Sequence, residues 1–186
     1  MTLDEVRVEI DAVDSQIKPL FLRRMECAGH VAAAKSKTGA DVFAGERENQ
    51  IIEKRTEDVD PLIRSEYTAF LKHLMSVSRR YQYGILTGMQ EAVITAALEA
   101  AGLHTEMPHS QVEVGFQCQK ADSNLNLFLD AARLNGISID RMELEACDGK
   151  QQVRLTLDGS LQESNMRCLL CQMGKEAEGF KILTLR

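Results

Sequence analysis

Residues 3–35, LDEVRVEIDAVDSQIKPLFLRRMECAGHVAAAK, decide the fold. Val6, Ile10, Val13, Ile17, Leu20, Arg24, Cys27, Val31 and Ala34 step along this stretch by three and four, the spacing of one helix face. Thr2 with Glu5 supplies a capping box at its start. The stripe runs over roughly 30 residues, or about 45 Å at 1.5 Å rise per residue. A short chain has no apolar surface of that length to lay against it, so a partner helix is implied. Pro19 removes a backbone donor and crowds the preceding turn, which predicts a kink near 15–19.

Outward from this helix, 36–45 reads as a loop rich in turn residues and 46–55 as a short second helix. Asp60-Pro61 is a start signal, Asp as cap and Pro at the first helical position, for a third helix reaching about Tyr83. Leu62, Phe70, Leu74 and Val77 are its inward candidates. Residues 85–110 read as a connector with one more helix over 89–101. From Gln111 the period changes: strand VEVGFQC, helix LNLFLDAARLNG, strand ISIDRMELEAC, turn Asp148-Gly149, strand QQVRLTLDG, helix SNMRCLLCQMGKEAEG and strand FKILTLR. The expected architecture is multi-domain, α and α+β. Three helices fill 1–84, a helical connector 85–110, and a βαββαβ unit 111–186 with an antiparallel sheet and two helices on one face.

Composition narrows the function. The 186 residues are 44% hydrophobic and 27% charged, which excludes collagen-like and disordered classes. The net charge is −6; residues 1–84 carry 13 basic and 14 acidic side chains, leaving 9 and 14 of the totals of 22 and 28. Neither part has the cationic excess of a nucleic-acid surface. No apolar run approaches the ~20 residues of a membrane span. The start, MTLDEVRVEID, lacks the apolar core of a secretory signal. Five cysteines at 27, 118, 147, 168 and 171 do not resemble a disulfide framework, so a reduced, cytoplasmic protein is expected. Cys168 and Cys171 fall in an apolar helical run and read as packing residues; no metal site is expected.

The informative residues are polar groups in apolar stripes. Arg24 stands where the first helix calls for a buried apolar residue, and a charge taken out of water costs several kcal/mol unless something answers it. Lys35 follows eleven residues later, near the same face and about 16 Å along the axis. Two long cations leaning across that gap suit a small dianion. Ser78 and Gln82 repeat the pattern on the third helix at i, i+4, and the second helix opens with Arg47-Glu48. This set contains no Cys/His or Ser/His pair, no Gly-rich phosphate loop and no metal-spaced cluster, so no cofactor is expected. Arg7 lies seventeen residues before Arg24, about 25 Å away on one helix. An antiparallel partner helix would bring a second copy of Arg7 to Arg24. On spacing alone, solvated or structural charges explain these residues as well as a ligand site does.

Taken together they resemble the AroQ, all-helical class of chorismate mutase. The matching residues are Leu3-x-x-x-Arg7-x-x-Ile10-x-x-x-Asp14, Arg24, Lys35, Val42-x-x-x-x-Arg47-Glu48 and Ser78-Arg79-x-Tyr81-Gln82. The resemblance implies an intertwined homodimer with two shared sites that rearranges chorismate to prephenate in Phe and Tyr biosynthesis. It assigns the substrate carboxylates to Arg24 and the partner's Arg7, with Ser78 assisting. It assigns the ether oxygen to Lys35 and Gln82 and the ring hydroxyl to Glu48, with Arg47 supporting the pocket's charge. Ala44 departs from the Asp usual in this family, and Gly45 from the Pro common there.

The second part resembles an ACT-type regulatory domain in its element order and in Asn135-Gly136-Ile137-Ser138-Ile139. That resemblance implies an aromatic amino acid as a possible effector. Of the corresponding motif positions, Ser123, Asn124, Leu125 and Glu143, only Leu125 and Glu143 match, so the effector cannot be named. Two other readings compete: a non-catalytic regulatory protein that senses chorismate or prephenate or docks on another shikimate-pathway enzyme, and a helical dimerisation module without a ligand. The latter would place an apolar residue at 24.

Overall fold

The computed structural model describes residues 1–104, 106, 108–119 and 124–186, with Cys147 described only in its backbone. Helix α1 spans Leu3–Thr38, capped by Thr2 and Glu5 as expected and closed by Gly39 in the left-handed conformation at φ 69°. It stays helical through Pro19. Ser15, whose carbonyl the prolyl nitrogen cannot serve, turns its hydroxyl back to the Asp11 carbonyl at 2.7 Å.

Helix α1 packs on α3, Arg64–Ile85, but only through its C-terminal half. Ala28 and Ala32 are buried there, whereas Ile10, Val13, Ile17 and Leu20 stay exposed. The single chain therefore leaves the long stripe uncovered.

Helix α2, Gly45–Thr56, lies against α3 through Ile52, Leu71 and Met75. Its N-cap Ala44 makes no side-chain cap, the expected consequence of lacking Asp there.

Two expectations for α3 need correction. The helix starts at Arg64 rather than at Pro61. Asp60 closes a turn instead, its carboxylate accepting from the Leu62 amide at 2.9 Å and its carbonyl from the Ile63 amide at 3.0 Å. Leu62 and Phe70 face solvent; the buried face runs through Leu71, Met75, Ser78, Arg79, Gln82 and Tyr83.

Helix α4, Thr87–Ala101, contributes Ile94 and Leu98 to the core of the C-terminal part. It packs on α6, Ser164–Glu176, and the fit is close: a Cβ on Gly174 would overlap Val93 Cγ1.

Strands β1 (Gln111–Gln119), β2 (Ile139–Cys147), β3 (Lys150–Asp158) and β4 (Glu178–Leu185) form one sheet in the order β2-β3-β1-β4, each pair antiparallel. The β2–β3 turn takes positive φ at Asp148 (48°) and Gly149 (79°), as a two-residue hairpin requires. Helix α5, Leu125–Leu134, and α6 cross between strands and give the βαββαβ connectivity. Val112, Val114 and Phe116 of β1 meet Leu157, Leu155 and Val153 of β3 on the face covered by α4, α5 and α6. Phe116 and Phe128 pack edge to face at 5.1 Å. The opposite face carries Gln117, Gln152, Arg154 and Lys181, and among the described residues no helix lies over it.

Candidate active site

The two outliers predicted on α1 both find oxygen partners. Arg24 Nη1 donates to the Leu74 carbonyl at 3.2 Å and to Ser78 Oγ, so the guanidinium bridges α1 to α3. Ser78 is buried; its hydroxyl also contacts the Leu74 carbonyl at 3.0 Å and Met25 Sδ at 3.7 Å. Burial, helped by the charge of Arg55, holds Arg24 below the usual guanidinium range.

Lys35, in the last turn of α1, donates to the Val42 carbonyl at 2.9 Å. Val42 is buried with Ala32, Tyr83 and Leu86, which pins the loop between α1 and α2 and gives Lys35 a fixed acceptor. Burial, followed by repulsion from Arg47, lowers the Lys35 pKa from its ordinary value.

One turn past Ser78, Gln82 is buried with its Nε2 on the Ser78 carbonyl at 3.3 Å and its Oε1 without a partner among the described residues. A buried amide oxygen left so costs about 1–3 kcal/mol. Glu48 stands on α2, and its charge acts on both Arg24 and Lys35. The structure therefore groups Arg24, Lys35, Glu48, Ser78 and Gln82 around the junction of the three helices.

Two residues stand apart. Arg47 is exposed, although close enough for its charge to reach Lys35. Arg7 lies in solvent near the far end of α1, paired with Asp4 at 3.1 Å.

The best-anchored charge in this region, Arg79, stood in the matching Ser78-Arg79 pair but was given no role from the sequence. Arg79 is 5% exposed. Its Nη1 donates to Glu48, while Nε and Nη2 each reach Glu176 of α6 at 2.8 Å, and the Phe43 ring covers it at 5.0 Å. Burial alone would lower its pKa, but the hydrogen bonds and charge of Glu176 and Glu48 outweigh that and raise it. A signal existed: Leu71, Met75, Arg79 and Tyr83 recur every four residues, so Arg79 interrupts a buried stripe just as Arg24 does.

The described residues among those suggested for an effector do not converge. Asn124 lies at the rim of a cavity of about 140 Å³ between α2, α3, α5 and α6, while Leu125 packs against the core. Glu143 stands on the uncovered sheet face, paired with Arg141 at 2.5 Å and Arg154 at 3.8 Å. Ser123 lies outside the described residues. Cys168 and Cys171 are buried in the cluster with Tyr83 and Leu86; burial, with Cys168 beside it, pushes the Cys171 thiol up to about 12.

Residues 6–83 match the chorismate mutase type II family. The match covers the three helices that carry the site and stops short of α4. No curated protein and no solved structure matches the chain. Among the described residues no helix is long and apolar enough to cross a membrane.

Proposed function

We propose that the protein is a chorismate mutase, acting as a homodimer whose two sites each take Arg24, Lys35, Glu48, Ser78 and Gln82 from one protomer and Arg7 from its partner. One observation carries this reading: the polar side chains that interrupt the apolar helix faces gather at one helix junction, within the stretch that matches the mutase family. The uncovered stripe of α1 supports the dimer, since Ile10, Val13, Ile17 and Leu20 form an apolar surface too long to leave in water.

The reaction suits these groups. The ether C–O bond of chorismate breaks as a C–C bond forms between the enolpyruvyl carbon and the ring, with no proton transfer, nucleophile or metal. The protein must hold the folded conformer and stabilise negative charge developing on the ether oxygen. Arg24 and the partner's Arg7 would grip the two carboxylates, with Ser78 assisting Arg24. Lys35 and the Gln82 amide, once it leaves the Ser78 carbonyl, would donate to the ether oxygen. Glu48 would accept from the ring hydroxyl, and Arg47 would add positive potential. Fixed donors need not reorient during the reaction, which is their advantage over water.

In the same reading the protein is cytoplasmic, with residues 1–84 as the mutase unit and 111–186 as an ACT-like unit in which the βαββαβ order supports a regulatory role. The test follows the loss of chorismate absorbance with purified protein, alone and with Phe, Tyr or Trp. Turnover above the spontaneous rate is the expected result, and a response to one amino acid would identify the effector. A folded dimer without turnover would refute the enzyme.

A further inference from the structure

The last turn of α6 ends in two adjacent charges, and both reach the edges of the helical site. Lys175 pairs with Asp41 at 2.7 Å, in the loop whose Val42 carbonyl receives Lys35. Glu176 takes Arg79 through two arms of its guanidinium, each at 2.8 Å, and the third arm donates to Glu48.

The two ties differ in kind. Lys175 and Asp41 are 31% and 63% exposed, a solvated pair that fixes little. The side chains of Arg79 and Glu176 are both buried, and their contact is a two-pronged fork. A guanidinium is planar, so once Nε and Nη2 are committed to one carboxylate the direction of Nη1 is set. Phe43 closes one face of that plane at 5.0 Å. Gly45 makes the room for it, because a Cβ there would come 3.1 Å from the ring. The Glu48 carboxylate thus lies where Glu176 aims Arg79.

We propose that Glu176 is a positioning residue for the mutase site: acting through Arg79, it fixes the Glu48 carboxylate, so the C-terminal unit supplies a working part of the helical site. This rests on the mutase reading above. It also gives the C-terminal unit a direct route to activity, since any event that draws the end of α6 away from α3 releases Arg79 and with it Glu48.

The test is a double-mutant cycle on chorismate turnover, with thermal melts to verify folding. Glu176→Gln keeps the shape and removes the charge. It is expected to lower kcat/KM about tenfold in the parent protein yet less than about twofold when Glu48 is already Gln, the non-additivity of residues acting through one another. Lys175→Ala is expected to stay within about twofold of the parent. Should Glu176→Gln fail to fold, Glu176→Asp, which keeps the charge but is one methylene too short for the fork, runs the same cycle. An equal loss in both Glu48 backgrounds, or an equal loss in Lys175→Ala, overturns the proposal and leaves a docking contact. A parent protein without turnover overturns the mutase reading and this proposal with it, a result distinct from an active parent with additive losses.

Discussion

Replacing Arg79 with Ala removes three charge-assisted hydrogen bonds to two carboxylates at once, and it leaves Glu176 buried without the guanidinium. Breaking a buried pair from one side costs about 3–5 kcal/mol, because the surviving charge keeps its desolvation penalty. For a chain of this length each kcal/mol corresponds to roughly 2–4 °C, so a drop in Tm of about 10 °C is expected at neutral pH. The deficit should also depend on pH. Burial already raises the Glu176 carboxyl, with Arg79 pulling the other way, and without Arg79 it rises further. A carboxyl with a raised pKa in the folded state contributes stability that is complete below its unfolded pKa and is lost as pH rises through the folded one. The variant should therefore recover part of its deficit between about pH 7.5 and pH 5. Urea unfolding at fixed protein concentration, followed by circular dichroism at both pH values, measures this. A deficit under about 1 kcal/mol at pH 7.5, or one that does not change with pH, would refute the idea that a buried ion cluster ties α3 to α6.

Other outcomes follow from the same geometry. Lys35→Ala should lower kcat by about a hundredfold or more, as removal of a charge-stabilising donor does. Because burial and Arg47 lower the Lys35 pKa, kcat/KM should fall on the alkaline side before the ordinary lysine range is reached, and Lys35→Arg should move that limb upward. Gly174→Ala should cost about 1–3 kcal/mol in urea unfolding, since its Cβ overlaps Val93 across the α4–α6 contact. Ile17→Glu should shift sedimentation toward monomer and abolish turnover with little change in helix content, by placing a charge in the uncovered stripe of α1.

The sequence made legible those elements whose periodicity is local. The capping box of α1, the βαββαβ order and the Asp148-Gly149 turn all depend on neighbours a few residues apart, and each stands as expected. Arg24 and Lys35 were visible because a charge in an apolar stripe breaks a simple rule. Asp60-Pro61 misled because the same residues that start a helix also close a turn, and the Leu62 and Ile63 amides were nearer than the first turn of α3. Phe70 misled for a related reason: α3 turns Leu71 and Met75 inward instead, a choice set by where α2 docks. Arg79 broke the same rule as Arg24, but its partner Glu176 lies 97 residues away, and no local pattern specifies that pair.

The proposed site is built from two chains, and mixing two crippled variants tests this most directly. Arg7→Ala and Arg24→Ala should each be nearly inactive alone, since every site then lacks one carboxylate grip. Equal amounts unfolded together and refolded give half mixed dimers. In each of these one site has both arginines and the other has neither, so about a quarter of the parent's turnover should return. A mixture no more active than the better variant alone would contradict the shared site, and with it the role given to Arg7.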